Sequence, residues 1–474
     1  MCPQTQACRL PRKVKVITEL GCVARFENSI RLHLDRTDTS RALEHLLEGD
    51  PKLQELFRKA NQRYLYWDRF KQLPMPEGIS PEEAWTALQL GRVLNRRPTP
   101  IIQVPDDGRF GYTFTEELQR LLMVVDQQAA GRIGTSISSM GPDIQQRHLL
   151  SQLMEEAIAS SQIEGASTTR RAAKEMLRTG RHPTDTGEQM ILNNYQTIKE
   201  VREWQHEDLT PGLLTYLQES LTQGTLPNRD EVGRFRRAKD DDDVVVGDKL
   251  GRVAHIPPPA AVLESELDRL CAFANNEEEF VHPLTKGALL HFWLAYLHPF
   301  CDGNGRTARA LFYCYTLKNG YWLFEYVSIS RVILRRRVQY ERAFLYSETA
   351  DLDVTYFLTF HLKAIEKALE EFWTYVERKA EDDRRLQEQL VQDGQLNYRQ
   401  RALVDRALKD SGAHFTIRSH QASHNVSYGT ARNDLIDLEE KGFLQHTQQG
   451  RTINYFPAPD LRKQVKGTGY QITG

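Results

Sequence analysis

The sequence HPFCDGNGRTAR at residues 298–309 holds an imidazole, a carboxylate, two glycines and two guanidiniums in one short segment. The run before it, residues 284–297, is almost uniformly apolar, and at that length it favours a buried helix over a strand. Pro299 disfavours the α conformation at His298, so this helix is predicted to end there. Apolar residues recur at helical spacing after Arg306, which predicts a second helix. The segment is therefore predicted to form a loop between two helices.

The loop has the features of an anion-binding site. Gly303 and Gly305 permit left-handed or close-approach backbone, so that successive N–H groups can converge on an anion. Arg306 and Arg309 add charge at the positive end of the second helix dipole, which is unfavourable unless an anion compensates. A phosphate chain would supply that anion. These residues therefore predict a polyphosphate-binding loop.

Two further side chains of the loop can carry chemistry. Asp302 offers the carboxylate oxygen that hard divalent cations prefer, while phosphates and water would supply the remaining ligands. His298 titrates near neutrality and could take a proton from an attacking hydroxyl. The alternative is a capped loop whose arginines form ordinary ion pairs and whose histidine is packed. We favour the catalytic interpretation because no single packing role requires all these residue types at this spacing.

The segment also matches a family pattern, His-x-Phe-x-[Asp/Glu]-Gly-Asn-Gly-Arg-x-x-Arg, at every fixed position, and so it resembles the signature of Fic-domain proteins. The resemblance implies transfer of the nucleotidyl part of a triphosphate, usually AMP from ATP, to a Ser, Thr or Tyr hydroxyl of a target protein. It further implies a role for each matched residue: His298 as general base, Asp302 as Mg²⁺ ligand, the backbone around Gly303, Asn304 and Gly305 as phosphate cradle, and Arg306 and Arg309 as contacts of the β- and γ-phosphates.

A second segment carries a charge that is unfavourable at its position. Ser160 and Glu164 are i and i+4 neighbours on one helical face, and Gly165 ends that helix. Glu164 therefore lies at the negative end of its own helix dipole, which indicates a partner elsewhere. The segment resembles the inhibitory motif [Ser/Thr]-x-x-x-Glu-[Gly/Asn] of self-restrained Fic proteins, in the subclass where it precedes the catalytic core. The resemblance implies an ion pair from Glu164 to Arg309 at the γ-phosphate position; a solvated helix end is the alternative.

A β-hairpin is predicted at residues 234–257. It is built from segments 233–236, 244–246 and 253–256, with a turn at 247–251 and prolines at 257–259. The hairpin resembles the Fic flap, which pairs backbone to backbone with the target segment that carries the modified hydroxyl. A plain surface hairpin is the alternative. The acidic run Asp240–Asp243 is interpreted as a solvated face rather than a metal site.

Composition sets limits on the class of protein. At 474 residues the chain exceeds one comfortable core, so two or three domains are expected. A net charge of −2 gives no reason to expect overall affinity for nucleic acid or membranes. The six cysteines lack CxxC spacing, which argues against a disulfide framework and a zinc site, and Cys301 is interpreted as a bystander in the loop. No apolar run reaches the length of a membrane span and the N-terminus lacks an apolar signal core, so we expect a cytoplasmic protein.

The C-terminal part predicts a separate module. Its pattern indicates helices at about 398–409, after Thr416 and at 427–440, followed by two strands around a turn at 448–451. This order resembles a winged helix-turn-helix module. Over residues 427–442 the negative side chains outnumber the positive ones by four to two, whereas a groove-reading helix usually carries the opposite balance. We therefore prefer a protein-contact or regulatory role, with DNA binding as the alternative.

The expected fold is mainly α: a Fic helical core with a β-hairpin flap, an N-terminal helical region and a C-terminal winged helix-turn-helix module. The residues 1–40 lack periodicity and are expected to be poorly ordered or to lie upstream of the natural start. The remaining parts are an N-terminal helical region 41–147, a Fic domain 148–376 with an inhibitory helix 150–165, a charged linker helix 377–395, a winged helix domain 396–460 and a tail 461–474.

Three functions are compatible with these residues. The favoured one is a protein adenylyltransferase (AMPylator) that uses ATP and Mg²⁺, is restrained by Glu164, and docks the hydroxyl segment of its target protein on the flap. The second is the reverse enzyme, a hydrolase that removes AMP and uses Glu164 to orient water. The third is a DNA-binding regulator whose loop only senses nucleotide. The first could also modify itself, and a homodimer could couple release of Glu164 to dissociation.

Overall fold

A computed structural model of the chain describes residues 44–45, 47–104, 107–129, 142–201, 203–240, 244–247, 253–392, 396–410, 412–449 and 452–467. Several predictions lie wholly or partly outside the described residues: the segment 1–40, the acidic positions 241–243, and parts of the turns at 247–251 and 448–451. The described residues divide into two compact units. The first holds those up to 129 together with 153–369, and the second holds 142–152 together with those from 370 onward.

The N-terminal part of the first unit is helical with one hairpin. Its elements are helices α1 (Pro51–Gln62), α2 (Trp67–Phe70) and α3 (Pro81–Leu94), strands β1 (Arg97–Ile102) and β2 (Arg109–Tyr112), and helix α4 (Glu116–Ala129). Four aromatic residues are buried together in one apolar cluster: Tyr64, Tyr66, Trp67 and Phe70. The β1–β2 hairpin departs from the purely helical prediction for 41–147. Pro98 and Pro100 stand in β1, and the pair tolerates them because both strands of a two-stranded sheet are edges.

The following elements come next in the chain. The helices are α5 (Pro142–Ile163), α6 (Arg170–Thr179), α7 (Thr186–Glu200), α8 (Pro211–Thr222), α9 (Leu263–Asn275), α10 (Pro283–Leu297), α11 (Asn304–Lys318), α12 (Ile329–Arg335), α13 (Arg337–Thr349) and α14 (Thr355–Gln392). Strands β3 (Val246–Gly247) and β4 (Val253–His255) lie between α8 and α9 in the chain. Short 3-10 turns occupy Glu203–His206, Arg229–Glu231, Ala238–Asp240, Ala260–Val262 and Trp322–Tyr326. The charged segment 377–392 is helical and continuous with the rest of α14.

Helices α10 and α11 form the helix–loop–helix unit that the sequence predicted. Leu290, Phe292 and Trp293 of α10 are fully buried, since a helix that is apolar all round needs cover on every side. Gly287 lets α11 approach closely, because a Cβ there would lie 3.2 Å from the Cγ2 atom of Thr316. The two helices therefore hold the ends of the loop at fixed positions.

The hairpin at the predicted flap is shorter than expected. Antiparallel pairing joins Val246 to His255 and Gly247 to Val253. The prediction that residues 233–236 form a strand is wrong. Gly233 has a φ of 70° in a turn, and Arg236 donates its backbone N–H to the Pro299 carbonyl at 2.8 Å. This segment pairs with the loop between α10 and α11 and not with another strand.

The second unit contains a module of helices and one hairpin. Its elements are α15 (Tyr398–Lys409), α16 (Ile417–His424), α17 (Tyr428–Glu440), β5 (Leu444–Gln449), β6 (Thr452–Pro457) and α18 (Leu461–Gly467). Residues 461–474 were expected to be a tail, but Leu461 and Val465 of α18 pack into the apolar cluster of the module. The prediction of a mainly α fold is confirmed. No helix in the described ranges is both long enough and apolar enough to cross a membrane.

Candidate active site

His298 follows the last residue of α10 in the left-handed conformation, with a φ of 47°. The predicted end of the helix at this residue is confirmed. A non-glycine residue at positive φ is uncommon and persists when the surrounding contacts hold it. Arg236 supplies such contacts, because its Nε donates to the His298 carbonyl at 2.9 Å and its Nη2 to the Leu297 carbonyl at 3.3 Å. Arg236 therefore fixes the start of the loop.

The His298 imidazole is neutral at physiological pH. Burial, and next the charge of His255, lower the pKa of His298 to about 4. Nδ1 lies 3.3 Å from the Ala295 carbonyl, which can only accept, so we assign the hydrogen to Nδ1 and the basic lone pair to Nε2. The sequence predicted a histidine that titrates near neutrality, and burial is the reason that its pKa is lower.

His255, the last residue of β4, carries the charge that acts on His298. Its Nδ1 lies 2.7 Å from the Glu348 carboxylate and its Nε2 lies 2.8 Å from the Tyr296 carbonyl. Both partners accept, so both ring nitrogens carry hydrogen. Burial lowers the pKa of His255, but the hydrogen bond and charge of Glu348 outweigh burial and the net shift is upward. The sequence places His255 in a predicted strand and carries no local signal of this role.

Asn304 frames the loop from the inside. Its Oδ1 accepts the Phe300 N–H at 2.9 Å, and its Nδ2 donates to the Phe300 carbonyl at 2.8 Å. Both polar atoms of the side chain therefore bond to the backbone of the loop, and the Asn304 backbone begins α11. Gly303 precedes it with a φ of 87°, and a Cβ there would lie 2.7 Å from the Cγ2 atom of Thr222. Only glycine fits this position without displacing a neighbour.

Arg306 is a buried cation with unused donors. Its Nη1 donates to the Leu221 carbonyl at 2.8 Å, whereas Nε and Nη2 have no hydrogen-bond acceptor among the described residues. The nearest carboxylate oxygen, Oδ2 of Asp302, is 3.6 Å from Nη2. Burial lowers the pKa of Arg306, because the charged form loses solvation. Unsatisfied buried donors are costly, so this guanidinium marks a place where an added anion would be stabilising.

Arg309 is buried and paired with the segment that the sequence analysis singled out. Its Nη2 lies 2.8 Å from Oε1 of Glu164 and 2.9 Å from the Ser160 carbonyl, and its Nε donates to the Ser160 hydroxyl at 2.9 Å. Burial acts to raise the pKa of Glu164, but the charge and hydrogen bond of Arg309 and the charge of Arg306 together outweigh it, and the net shift is downward. Gly165 follows with a φ of 100° and ends the segment. The two charges that the sequence predicted to meet are in contact.

Gly305 makes this contact possible. A Cβ at Gly305 would lie 2.2 Å from Oε1 of Glu164 and 3.1 Å from Nη1 of Arg309. The carboxylate therefore lies directly against the backbone at the first turn of α11. This is the position at which a helix N-terminus binds an anion.

Asp302 is the acidic residue of the loop, and 56 % of its side chain is accessible. Its Oδ1 accepts from the Gly303 N–H, and its backbone carbonyl accepts from Nε2 of Gln218 at 3.1 Å. Within the described ranges no three His, Cys, Asp or Glu side chains converge as a metal cluster. A cation at this loop would therefore rely on one carboxylate together with oxygens from a substrate and water, which is a coordination that Mg²⁺ accepts.

Gln218 is a further site residue that sequence reasoning missed. Besides its bond to the Asp302 carbonyl, its Oε1 accepts the Gly233 N–H at 2.7 Å. The side chain is fully buried in α8 and connects the loop to the turn before Arg236. A single glutamine in an amphipathic helix carries no signal of this kind, because its partners are distant in the chain.

Cys301 does not have the properties of a nucleophile. Burial, and next the charge of Asp240, raise the pKa of Cys301 to about 11, so the thiol form prevails at neutral pH. The interpretation of Cys301 as a bystander is supported.

Comparison with known proteins identifies the family of this region. Residues 208–316 match the model of the Fic/DOC family. The chain is 38 % identical over 92 residues to "Protein adenylyltransferase Fic" of Culex quinquefasciatus, which covers 19 % of this chain and 16 % of the relative. It is 36 % identical over 92 residues to the protein of the same name from Nematostella vectensis, which covers 19 % of each. The chain thus spans less than a fifth of the length of these curated relatives.

A solved structure extends the likeness to the fold. The crystal structure of a Fic family protein from Desulfovibrio desulfuricans G20 superposes with a TM-score of 0.50 at 21 % identity, and it covers 73 % of this chain and 98 % of its own. Helix α10, the loop after it and all but the last two residues of α11 lie inside the matched region 208–316, and residues 298–309 carry every fixed residue of the signature. Residues 208–316 therefore form a domain of the Fic/DOC family.

Proposed function

We propose that this chain is a protein adenylyltransferase that transfers AMP from ATP to a Ser, Thr or Tyr hydroxyl of a target protein, and that Glu164 restrains it. One observation carries the proposal. The carboxylate of Glu164 is paired with Arg309 at the N-terminal end of α11, beside the unused donors of Arg306. The curated relatives named protein adenylyltransferase support the same activity over the matched region.

The loop residues can carry out this transfer. Nε2 of the neutral His298 would take the proton of the target hydroxyl, whose oxygen then forms a bond to the α-phosphorus. The bond from that phosphorus to the bridging oxygen breaks, and pyrophosphate leaves. The N-terminal N–H groups of α11 and the guanidiniums of Arg306 and Arg309 would stabilise the negative charge of the phosphates.

Asp302 would hold Mg²⁺ in this reaction, because its carboxylate lies at the exposed edge of the loop and suits a hard cation. The cation would neutralise phosphate charge when bound. The contribution of this chain is the placement of Asp302, which the bond from Gln218 to its carbonyl holds.

The restraint follows from competition for one guanidinium. Oε1 of Glu164 occupies Nη2 of Arg309, and the γ-phosphate is proposed to need the same donor. While Glu164 stays, ATP would bind without its γ-phosphate in place and its α-phosphorus would be misaligned with His298. Removal of Glu164 would therefore raise the rate of transfer, because the α-phosphorus of ATP could then align with His298.

The test is label transfer from α-labelled ATP, with γ-labelled ATP as the control for phosphoryl transfer. Glu164→Gly should raise incorporation of the α label, and Glu164→Gly combined with His298→Ala should abolish it. Gln162→Gly is the matched control, because it loosens the same helix end but leaves the ion pair. Equal incorporation in the presence and absence of His298 would refute its role as the base. If Glu164→Gly instead prevents release of AMP from a modified protein, the reverse enzyme is the better assignment.

The flap and the second unit are proposed to serve recognition. The strands β3 and β4 form a two-stranded sheet, so each keeps one edge that a target segment could join. The module from α15 to β6 is proposed to be a winged helix that contacts protein. Asp434 pairs with Arg399, and Asp437 pairs with Lys441, so these two acidic groups of α17 are already neutralised. DNA binding therefore stays an alternative for the module, and the charge count is a weaker argument against it than the sequence indicated.

A further inference from the structure

Glu156 is a buried carboxylate that the proposed transfer does not use. It lies on α5, two turns before Glu164, and is 3 % exposed. Its Oε2 accepts from the Tyr313 hydroxyl at 2.8 Å, from the Ser328 hydroxyl at 2.9 Å and from the Ser330 N–H at 3.0 Å. Its Oε1 accepts from the Ser330 hydroxyl. These four donors are neutral, so the carboxylate is satisfied by hydrogen bonds and not by a cation.

The contacts of Glu156 belong to a regular pattern between α5 and α11. Glu156 and Ser160 share one face of α5, and Glu164, four residues after Ser160, directly follows the last residue of that helix. Their partners run in the opposite direction along α11, since Glu156 contacts Tyr313 whereas Ser160 and Glu164 contact Arg309. The contacts therefore define one antiparallel register.

The end of this pattern at Glu156 makes more hydrogen bonds than the end at Glu164. Tyr313 itself accepts the Ile329 N–H at 2.9 Å, so Glu156, Tyr313 and the start of α12 form one connected network. A slip of α5 by one turn would leave a buried carboxylate and several buried donors without partners, which is strongly unfavourable. Glu164, in contrast, lies at the end of its segment with 28 % of its side chain exposed.

We infer that Glu156 is a positioning residue that sets the register of α5 against α11 and thereby delivers Glu164 to Arg309. Glu156 does not touch the proposed substrate position. Glu156 acts by positioning α5. The ion pair between Glu164 and Arg309 imposes the restraint, and Glu156 makes a separate contribution by bringing Glu164 to that position. This inference rests on the proposed function, because it assigns a cause to the restraint proposed above.

The matched pair of variants is Glu156→Ala and Glu155→Ala. Glu155 is the neighbouring residue, is equally buried, and pairs with Arg170 and Lys174 instead of α11. Loss of either carboxylate should lower the melting temperature. Only Glu156→Ala should raise incorporation of the α label from ATP, by about tenfold, which corresponds to the loss of a hydrogen bond to a charged group.

A background without Glu164 separates positioning from general damage. In Glu164→Gly the restraint is already absent, so adding Glu156→Ala should bring no further rise. Variants that merely disturb the fold would reduce transfer in the Glu164→Gly background and would not raise it in the unmodified chain. If Glu164→Gly is active but Glu156→Ala transfers no more label than the unmodified chain, the inference is overturned while the proposed function stands. If Glu164→Gly shows no transfer at all, the proposed function fails instead.

Discussion

At the scale of single residues, the surroundings of His298 decide its protonation. Burial and the cation of His255 keep its pKa at about 4, while the Ala295 carbonyl orients the ring so that Nε2 is basic. The pKa of a general base usually lies near the working pH. The pKa of His298 lies well below neutral pH, so its imidazole stays unprotonated over the physiological range. The loop therefore favours availability of the base over its strength.

The first prediction concerns the pH dependence of transfer. Because the pKa of His298 is depressed, its basic form is complete above about pH 5 and is lost as pH falls through 4. Glu164 acts to raise this pKa, so its removal should lower the value further. In Glu164→Gly the transfer rate attributable to this base should therefore be constant from about pH 6 to 8. A profile measured with α-labelled ATP that falls by half near pH 6.5 would contradict this account.

At the scale of elements, the loop depends on contacts from other parts of the chain. Arg236 holds the carbonyl groups of Leu297 and His298, and its Nη2 also contacts the Pro258 carbonyl at the end of the flap. Gln218 joins the other side of the loop to the turn at Gly233. The proposed catalytic groups are therefore held in part by hydrogen bonds from Arg236 and Gln218 to backbone groups.

A second prediction follows for Arg236. Arg236→Lys keeps the charge but cannot make the divergent hydrogen bonds of a guanidinium. In the Glu164→Gly background we expect kcat to fall by about 100-fold, the cost of a small misplacement of a catalytic group, with little change in ATP affinity. Arg237→Lys is the control, since Arg237 is exposed beside it. Equal kcat values for the two variants would show that Arg236 does not position His298.

The loop could be predicted from the sequence, but the distant residues that hold the loop in place could not. The end of α10 at His298 was predicted from Pro299, and α11 begins at Asn304, two residues before the predicted start. The charges at the wrong ends of their helices indicated partners elsewhere, and the resemblance to the inhibitory motif implied the pairing of Glu164 with Arg309. Arg236 was assigned to a strand, because its partners lie about 60 residues away and leave no local signal. The β1–β2 hairpin was missed because prolines in β1 argue against a strand unless that strand lies at the edge of its sheet.

At the scale of the whole molecule, each unit has its own apolar core and its own buried polar centre. In the second unit that centre is Asp434, whose carboxylate accepts from Arg399, Asn397 and His420. The four positions come from α15, its N-cap, α16 and α17. Asp434 therefore ties the three helices of the module together.

A third prediction concerns the stability of this module. Asp434→Ala leaves the buried His420 and the partly buried Arg399 and Asn397 without this acceptor and should reduce the free energy of unfolding by about 3 kcal/mol. Burial acts to raise the pKa of Asp434, but its hydrogen bonds outweigh burial and the net shift is downward. The stabilisation should therefore be complete above about pH 4, the unfolded value, and disappear as pH falls below it.

Calorimetry at pH 7 compares Asp434→Ala with Glu440→Ala, an exposed acidic residue of the same helix. Only the former should lower the melting temperature of the module, and neither should change label transfer in the Glu164→Gly background. A loss of transfer in Asp434→Ala alone would show that the second unit takes part in the chemistry.

The central claim is that a cationic phosphate site is closed by the chain's own carboxylate. Intact-mass spectrometry after incubation with ATP and Mg²⁺ tests it most directly, because self-modification requires no knowledge of the target. The account predicts a mass gain that matches AMP in Glu164→Gly, little or none in the unmodified chain, and none in Glu164→Gly combined with His298→Ala. No gain in any variant, or an equal gain in all three, would contradict it.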